Sequence, residues 1–300
     1  MKKFKQIVCV DNTRLTNWAL AKLSDYSEMP VRIFNDYPAE NQKIIERIAE
    51  ADCLLVSWKT PINAEAIQQA KSLKYIGMCC SLIDKKSANV AVEFAENQGI
   101  IVKGVRDYGD EGVVEFIISQ LISLAKGLGK YQWKPLQTEL KGKVLGIIGM
   151  GTVGQMLASA ALAFGMKVLY FSRTRKPAIE NENLVFVSLE KLLQESDVVS
   201  THLPRNNRII GKNEFELMKP NSVFINTSVG PTFEVDALKN WSNKAGNFAI
   251  FDHDGAFGIE DIEEFSNTIY SPKTSGMTDA AFDRLSAKVL KNIENYLESR

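Results

Sequence analysis

Residues 142–177 read GKVLGIIGMGTVGQMLASAALAFGMKVLYFSRTRKP, and the fold turns on how this stretch is read. KVLGIIG is a short apolar run with strand character. It ends in Gly149, Gly151 and Gly154, spaced G-x-G-x-x-G. An Ala-rich helical segment follows, and then a second strand-like run, KVLYFS. In a strand–turn–helix unit the first glycine permits the tight turn. The second lets backbone approach a pyrophosphate, and the third lets the helix pack close on its strand. The helix start then offers unpaired N–H groups and partial positive charge to phosphate. The pattern alone is weak, but with the correct strand, helix and second strand around it, a dinucleotide site is expected.

The end of the second strand bears on which dinucleotide. An acidic residue there would accept from the adenosine ribose hydroxyls and repel a 2′-phosphate. Here the tip is Ser172, Arg173, Thr174, Arg175 and Lys176, two hydroxyls and three cations. That set suits a phosphate dianion, with Arg173 offering bidentate geometry. NADP is therefore preferred, with NAD as the alternative.

Outward from this unit the chain keeps alternating. QIVCV, VRIF, CLLVSW, LKYIGM and IIVKGV read as strands in the first third, separated by helical segments such as NQKIIERIAEA and NAEAIQQAKS. Such alternation predicts right-handed crossovers and parallel sheets covered on both faces. DEGVVEFIISQLISLAKGL, from about residue 109, reads as one long helix, acidic at its start and with Lys126 near its end, as the helix dipole prefers. The 300 residues suffice for two domains. Lys plus Arg equals Asp plus Glu at 36 each, so no global field favours nucleic acid or an anionic membrane. No apolar run approaches the roughly 20 residues of a membrane helix, and the basic start MKKFKQIVCVDN has too short an apolar run for a signal peptide. A cytoplasmic protein is expected. Cys9 and Cys53 sit in strand-like runs and read as buried small hydrophobes. With two histidines and no paired C-x-x-C spacing, a metal site is not expected.

LKGKVLGIIGMGTVGQ, SDVVSTHLP, LMKPNSVFINTS, DAL at 236–238 and SPKTSG at 271–276 occur in an order that resembles the D-isomer-specific 2-hydroxyacid dehydrogenase family, which includes glyoxylate and hydroxypyruvate reductases. The earlier part of the chain resembles it more weakly, through ADCLLVSWKT, LKYIGMCCSLIDKKS and VVEFIISQLI. The resemblance implies an α/β protein with two Rossmann-like lobes. A flavodoxin-like substrate lobe would take residues 1–104 and 277–300, and an NAD(P)-binding Rossmann lobe residues 105–276. It also implies a small-molecule substrate in the cleft between the lobes and a homodimer through the cofactor lobe.

Residue by residue, the resemblance assigns Gly151, Thr152, Val153 and Gly154 to the phosphate loop. Ser172 and Arg173 take the ribose-selecting position, with Thr174 and Arg175 beside them. His202, Leu203 and Pro204 form the turn under the pyrophosphate. Thr227, Ser228 and Val229 lie beside the nicotinamide ribose, and Asp252 meets the carboxamide. In the substrate lobe, Ser57, Trp58 and Lys59 approach the substrate. Met78, Cys79, Cys80 and Ser81 replace a glycine-containing segment whose N–H groups bind its carboxylate. The catalytic positions depart from the family. It uses Arg, Glu and His where this chain has Val229, Phe257 and Lys273, with Asp254 or Glu260 as possible substitute carboxylates. Val229 cannot grip a carboxylate bidentately, so weak turnover of small 2-oxoacids is expected unless another residue supplies the grip. Lys273 has three readings: a proton donor to a carbonyl oxygen, an electrostatic anchor, or a loop lysine without a role. His253 is a second catalytic candidate. Two functions stay open, a reductase with a rebuilt active site and a cofactor-binding sensor or partner subunit without turnover.

Overall fold

The computed structural model describes residues 2–82, 85–86, 88–205 and 207–300. Part of the LKYIGMCCSLIDKKS stretch, namely Ile83, Asp84 and Ser87, lies outside them. The chain divides into two compact units. One is Met1–Tyr108 with Thr278–Arg300, and the other is Gly109–Met277.

The first unit holds five parallel strands: β1 (Ile7–Cys9), β2 (Arg32–Ile33), β3 (Cys53–Val56), β4 (Tyr75–Ser81) and β5 (Ile101–Val105). Their order, β2-β1-β3-β4-β5, is the flavodoxin-like arrangement. β3 is apolar throughout, as a strand buried on both faces requires. On one face it meets Ile44, Ile48, Ile67 and Val92, carried by the crossover helices. The other face is covered by the final helix, Asp279–Glu298, through Leu285, Val289, Ile293 and Leu297. Spaced four residues apart, those side chains share one face of the helix and return the C-terminus to the first unit.

The second unit holds seven parallel strands: β6 (Val144–Ile148), β7 (Lys167–Phe171), β8 (Leu184–Phe186), β9 (Val198–Thr201), β10 (Val223–Asn226), β11 (Phe248–Phe251) and β12 (Thr268–Tyr270). The order β12-β11-β10-β9-β6-β7-β8 is that of a doubly wound dinucleotide fold with one added strand. It reverses direction between β6 and β9, where such sheets open a crevice at their carboxyl ends. The long helix expected near residue 109 spans Asp110–Lys126, with Gly127 in the left-handed region (φ 64°) closing it. Two parallel α/β sheets thus match the fold expected from the strand–helix alternation. Among the described residues, no helix is long and apolar enough to cross a membrane.

Candidate functional site

All seven strands of the second sheet run parallel, so the loops after β6, β7, β9, β10, β11 and β12 leave from one edge. Those loops carry the glycine turn, the basic tip, the HLP turn, Thr227–Val229, Asp252–Phe257 and SPKTSG. A side chain added at Gly149 (φ 101°) would come within 2.1 Å of the His202 carbonyl oxygen, and one at Gly154 within 2.3 Å of the Gly149 carbonyl oxygen. Neither position tolerates a Cβ atom. Gly151, by contrast, faces open space and stands directly before the helix Thr152–Ala163. Crowded turn glycines and an open helix entrance are the cradle that a pyrophosphate requires.

The basic tip is less uniform than its sequence. Arg175 is committed to Glu180 through two bonds of 2.8 and 2.6 Å and lies over the Phe186 ring. Glu180 also accepts from the Tyr170 hydroxyl, which accepts from the Lys176 backbone N–H. Of the three cations at the tip, Arg175 is therefore the one already paired. Glu180, five residues along, reaches back and neutralises Arg175. Its paired carboxyl is held down to about 2, chiefly by the hydrogen bonds from Arg175. Arg173 is exposed, and neither it nor Lys176 has a side-chain ion-pair partner among the described residues. The Ser172 hydroxyl donates to the Thr174 carbonyl at 2.6 Å and shapes the turn.

The HLP turn is pinned to the sheet. The His202 N–H donates to the Ile148 carbonyl at 2.8 Å, and its Nε2 lies 3.0 Å from Ser200 Oγ. Burial lowers the imidazole to about 4, so it is neutral at physiological pH. Leu203 N–H donates to Ser228 Oγ, which donates to the Thr201 carbonyl. Pro204 follows in the same turn, and its carbonyl accepts from Asn207. Asn226, which the motif reading did not single out, organises this end of the sheet. Its Nδ2 donates to the Gly230 and Gly255 carbonyls, and its Oδ1 accepts from Thr201 and Thr232. The Thr227 hydroxyl beside it is buried without a partner among the described residues. Val229 is 36% exposed.

Asp252 is buried and accepts from the Gly255 N–H at 2.8 Å, the Ser275 N–H at 2.8 Å and the Ser275 hydroxyl at 2.6 Å. Its Oδ2 therefore ties the SPKTSG loop to the end of β11, while Oδ1 holds the turn at Gly255. Two more staples follow: the His253 N–H donates to the Lys273 carbonyl at 3.2 Å, and Thr274 Oγ1 donates to Asp254 at 2.9 Å. Burial raises the Asp254 carboxyl, opposed by the Thr274 hydrogen bond. Lys273 sits among these staples with its side chain exposed, and no group accepts from its amine among the described residues. The chain's own groups do not bury it. His253 is also exposed, its Nδ1 3.3 Å from the Tyr270 hydroxyl. A residue overlooked in the sequence, Arg205, projects from the HLP turn with its guanidinium carbon 5.7 Å from the Phe257 ring centroid.

In the first unit, Ser57 is fixed to buried Asp11 by bonds of 2.9 and 2.6 Å. The Lys59 amine lies 4.8 Å from the Tyr37 ring centroid and 5.5 Å from that of Trp58. Cys79 and Cys80, expected in the segment near the substrate, have buried side chains. Both lie within β4, where successive side chains alternate between faces. They enter opposite cores, Cys79 beside Cys9 and Cys53, and Cys80 beside Val56 and Val90. All four thiols are free and buried, and burial raises each, Cys80 to about 12.

Residues 118–253 match the family model for the D-isomer-specific 2-hydroxyacid dehydrogenase NAD-binding domain. A glyoxylate reductase of Thermococcus litoralis is 31% identical over 276 residues, covering 83% of this chain and 82% of that protein. A hydroxypyruvate reductase of Blautia hydrogenotrophica is 29% identical over 280 residues, covering 86% and 85%. Among solved structures, an acyclic imino acid reductase in complex with NADPH and D-Arg is similar, with a TM-score of 0.82 and 25% identity, covering 98% of this chain and 97% of that one. The TT0316 protein of Thermus thermophilus has a TM-score of 0.83 and 27% identity over the same shares. With the glycine turn, the strand order and these relatives in agreement, the chain belongs to the D-isomer-specific 2-hydroxyacid dehydrogenase family of oxidoreductases.

Proposed function

We propose that this chain is an NADP-preferring reductase of a small carbonyl compound, with an active site rebuilt around Lys273. The observation that carries the cofactor choice is the strand tip, where Glu180 neutralises Arg175 and leaves Arg173 exposed and uncommitted. Gly149, Gly151 and Gly154 hold the pyrophosphate, with Thr152 and Val153 at the helix entrance. Leu203 and Pro204 flank it, and the unpartnered Thr227 hydroxyl meets the nicotinamide side. The cofactor supplies hydride. Lys273, on a loop stapled through Asp252, Asp254 and the His253 N–H, supplies the proton to the substrate oxygen. His202 is unsuited to that task, because it is neutral and held by Ser200.

The substrate belongs with those of the similar reductases, small 2-oxo or 2-hydroxy compounds. The likeness to an imino acid reductase adds the corresponding imine as a second class. A homodimer through the second unit is proposed on the family resemblance. One specific observation favours a non-catalytic alternative: all three usual catalytic types are replaced, and the Lys273 amine is exposed. The test is a screen of small aldehydes, ketones, 2-oxoacids and 2-oxoacid–amine mixtures with NADPH and NADH, alongside direct cofactor titration. Turnover with NADPH supports the reductase. Tight NADPH binding with silence across the screen supports the sensor or partner subunit.

A further inference from the structure

We infer that Arg205 is the anion anchor of the substrate site, taking over across the sheet the grip that Val229 cannot make. The inference rests on the reading of this edge as a carbonyl-reducing site. Arg205 leaves the sheet after β9, and Phe257 leaves it after β11. β10 lies between those strands and leads directly into Thr227–Gly230. For Arg205 to meet the Phe257 ring at 5.7 Å, the two loops must approach each other over the end of β10. The same place is fixed from a second direction. The Gly230 N–H donates to the Asp254 carbonyl at 2.9 Å, and a Cβ built on Gly230 lies 3.9 Å from the Phe257 carbonyl oxygen. Val229 is thus adjacent to the segment on which Arg205 rests.

The chemistry of the pair suits an anion. Phe257 is 47% exposed and offers the Arg205 cation an aromatic ring. At 5.7 Å from the ring centroid the guanidinium is within cation–π reach of Phe257, a contact that takes up none of its N–H donors. The Arg205 side chain has no hydrogen bond or ion pair among the described residues. Its turn is braced, because the Asn207 amide donates to the Pro204 and Arg205 carbonyls at 2.9 and 3.2 Å. The Asp254 carboxylate is near enough to feel the Arg205 charge but is hydrogen-bonded to Thr274 instead. A planar cation with uncommitted N–H donors, beside the position where the resemblance expects an arginine, fits a carboxylate next to the reacting carbon.

The test separates this inference from the reductase reading by using an unreactive probe. Oxalate binding to the NADPH complex is measured by calorimetry for the unmutated protein, Arg205→Ala, Arg205→Lys and Phe257→Ala. NADPH affinity, expected to stay within about three-fold, serves as the folding control. Arg205→Ala should weaken oxalate by about ten-fold or more, the scale of a lost charge-assisted bond. Arg205→Lys should recover only part of this, because an ammonium lacks the planar fork. Phe257→Ala should weaken oxalate a few-fold. If a substrate is found, Arg205→Ala should raise KM for 2-oxoacids and leave KM for a neutral aldehyde unchanged. Failure of the unmutated complex to bind oxalate, or equal binding by Arg205→Ala, overturns the inference even when turnover is present. Arg205-dependent oxalate binding without any turnover sustains it while the reductase reading fails.

Discussion

Replacing Arg173 by alanine tests the cofactor assignment most directly. In the structure Arg173 is exposed at the end of β7 with no acidic partner among the described residues, whereas Arg175 is held twice by Glu180. A charge-assisted hydrogen bond to phosphate contributes about 1.5–3 kcal/mol, and exposure to solvent and salt moves the value toward the lower end. A loss of about 1–2 kcal/mol corresponds to roughly 5- to 30-fold weaker NADPH. NADH lacks the 2′-phosphate and should bind unchanged. Nucleotide-fluorescence titration of both cofactors at two salt concentrations reads this directly, and higher salt should shrink the preference for NADPH. Arg175→Ala is the informative control. It removes a cation but frees the Glu180 carboxylate beside the site, so it should also lower NADPH affinity, through repulsion, and Arg175→Ala with Glu180→Gln should restore it. Equal NADPH and NADH affinities in the unmutated protein, or an equal loss of both in Arg173→Ala, would refute the reasoning.

Lys273→Met keeps the length of the side chain and removes its charge; it should leave NADPH affinity within a few-fold and lower any reductase rate by about 100-fold. Lys273→His should not create 2-hydroxyacid dehydrogenase activity, since Phe257 offers no carboxylate to orient an imidazole; a gain of glyoxylate reduction would contradict this. Asp252→Asn keeps the bond from the Gly255 N–H but sets an amide N–H₂ against the Ser275 N–H, or the reverse if the amide flips. It should cost about 2–4 kcal/mol of stability by denaturant unfolding, and a loss below about 0.5 kcal/mol, the scale of an ordinary surface substitution, would show that the loop is held otherwise. His202 has its folded value lowered from 6.5 to about 4. Between those values the unfolded chain binds the extra proton, so stability is fully present above about 6.5 and is lost as pH falls toward 4. Melting curves of His202→Gln should lack that part of the acid dependence; superimposable pH profiles would show that the imidazole titrates normally.

Much of this molecule was legible from spacing alone. Strand–helix alternation and G-x-G-x-x-G report local geometry, and local geometry is set by neighbours in the chain. The apolar run of β6 and the crowded Gly149 and Gly154 follow from that logic. So did the absence of an acid within residues 172–176, and the replacement of the three catalytic types. What the sequence could not show is which charges are already spent. Glu180 cancels Arg175 only because the chain turns back after β7, and Asp252 is saturated only because SPKTSG folds onto β11. Cys79 and Cys80 are neighbours in the sequence, and only the register of β4 sends their side chains into two different cores. Arg205 and Phe257 are far apart in the chain and meet only because β9, β10 and β11 lie side by side. Periodicity and motif spacing carry information over a turn or a single βαβ unit. The pairing of charges and the facing of side chains across loops depend on strand order, which is a property of the assembled sheet.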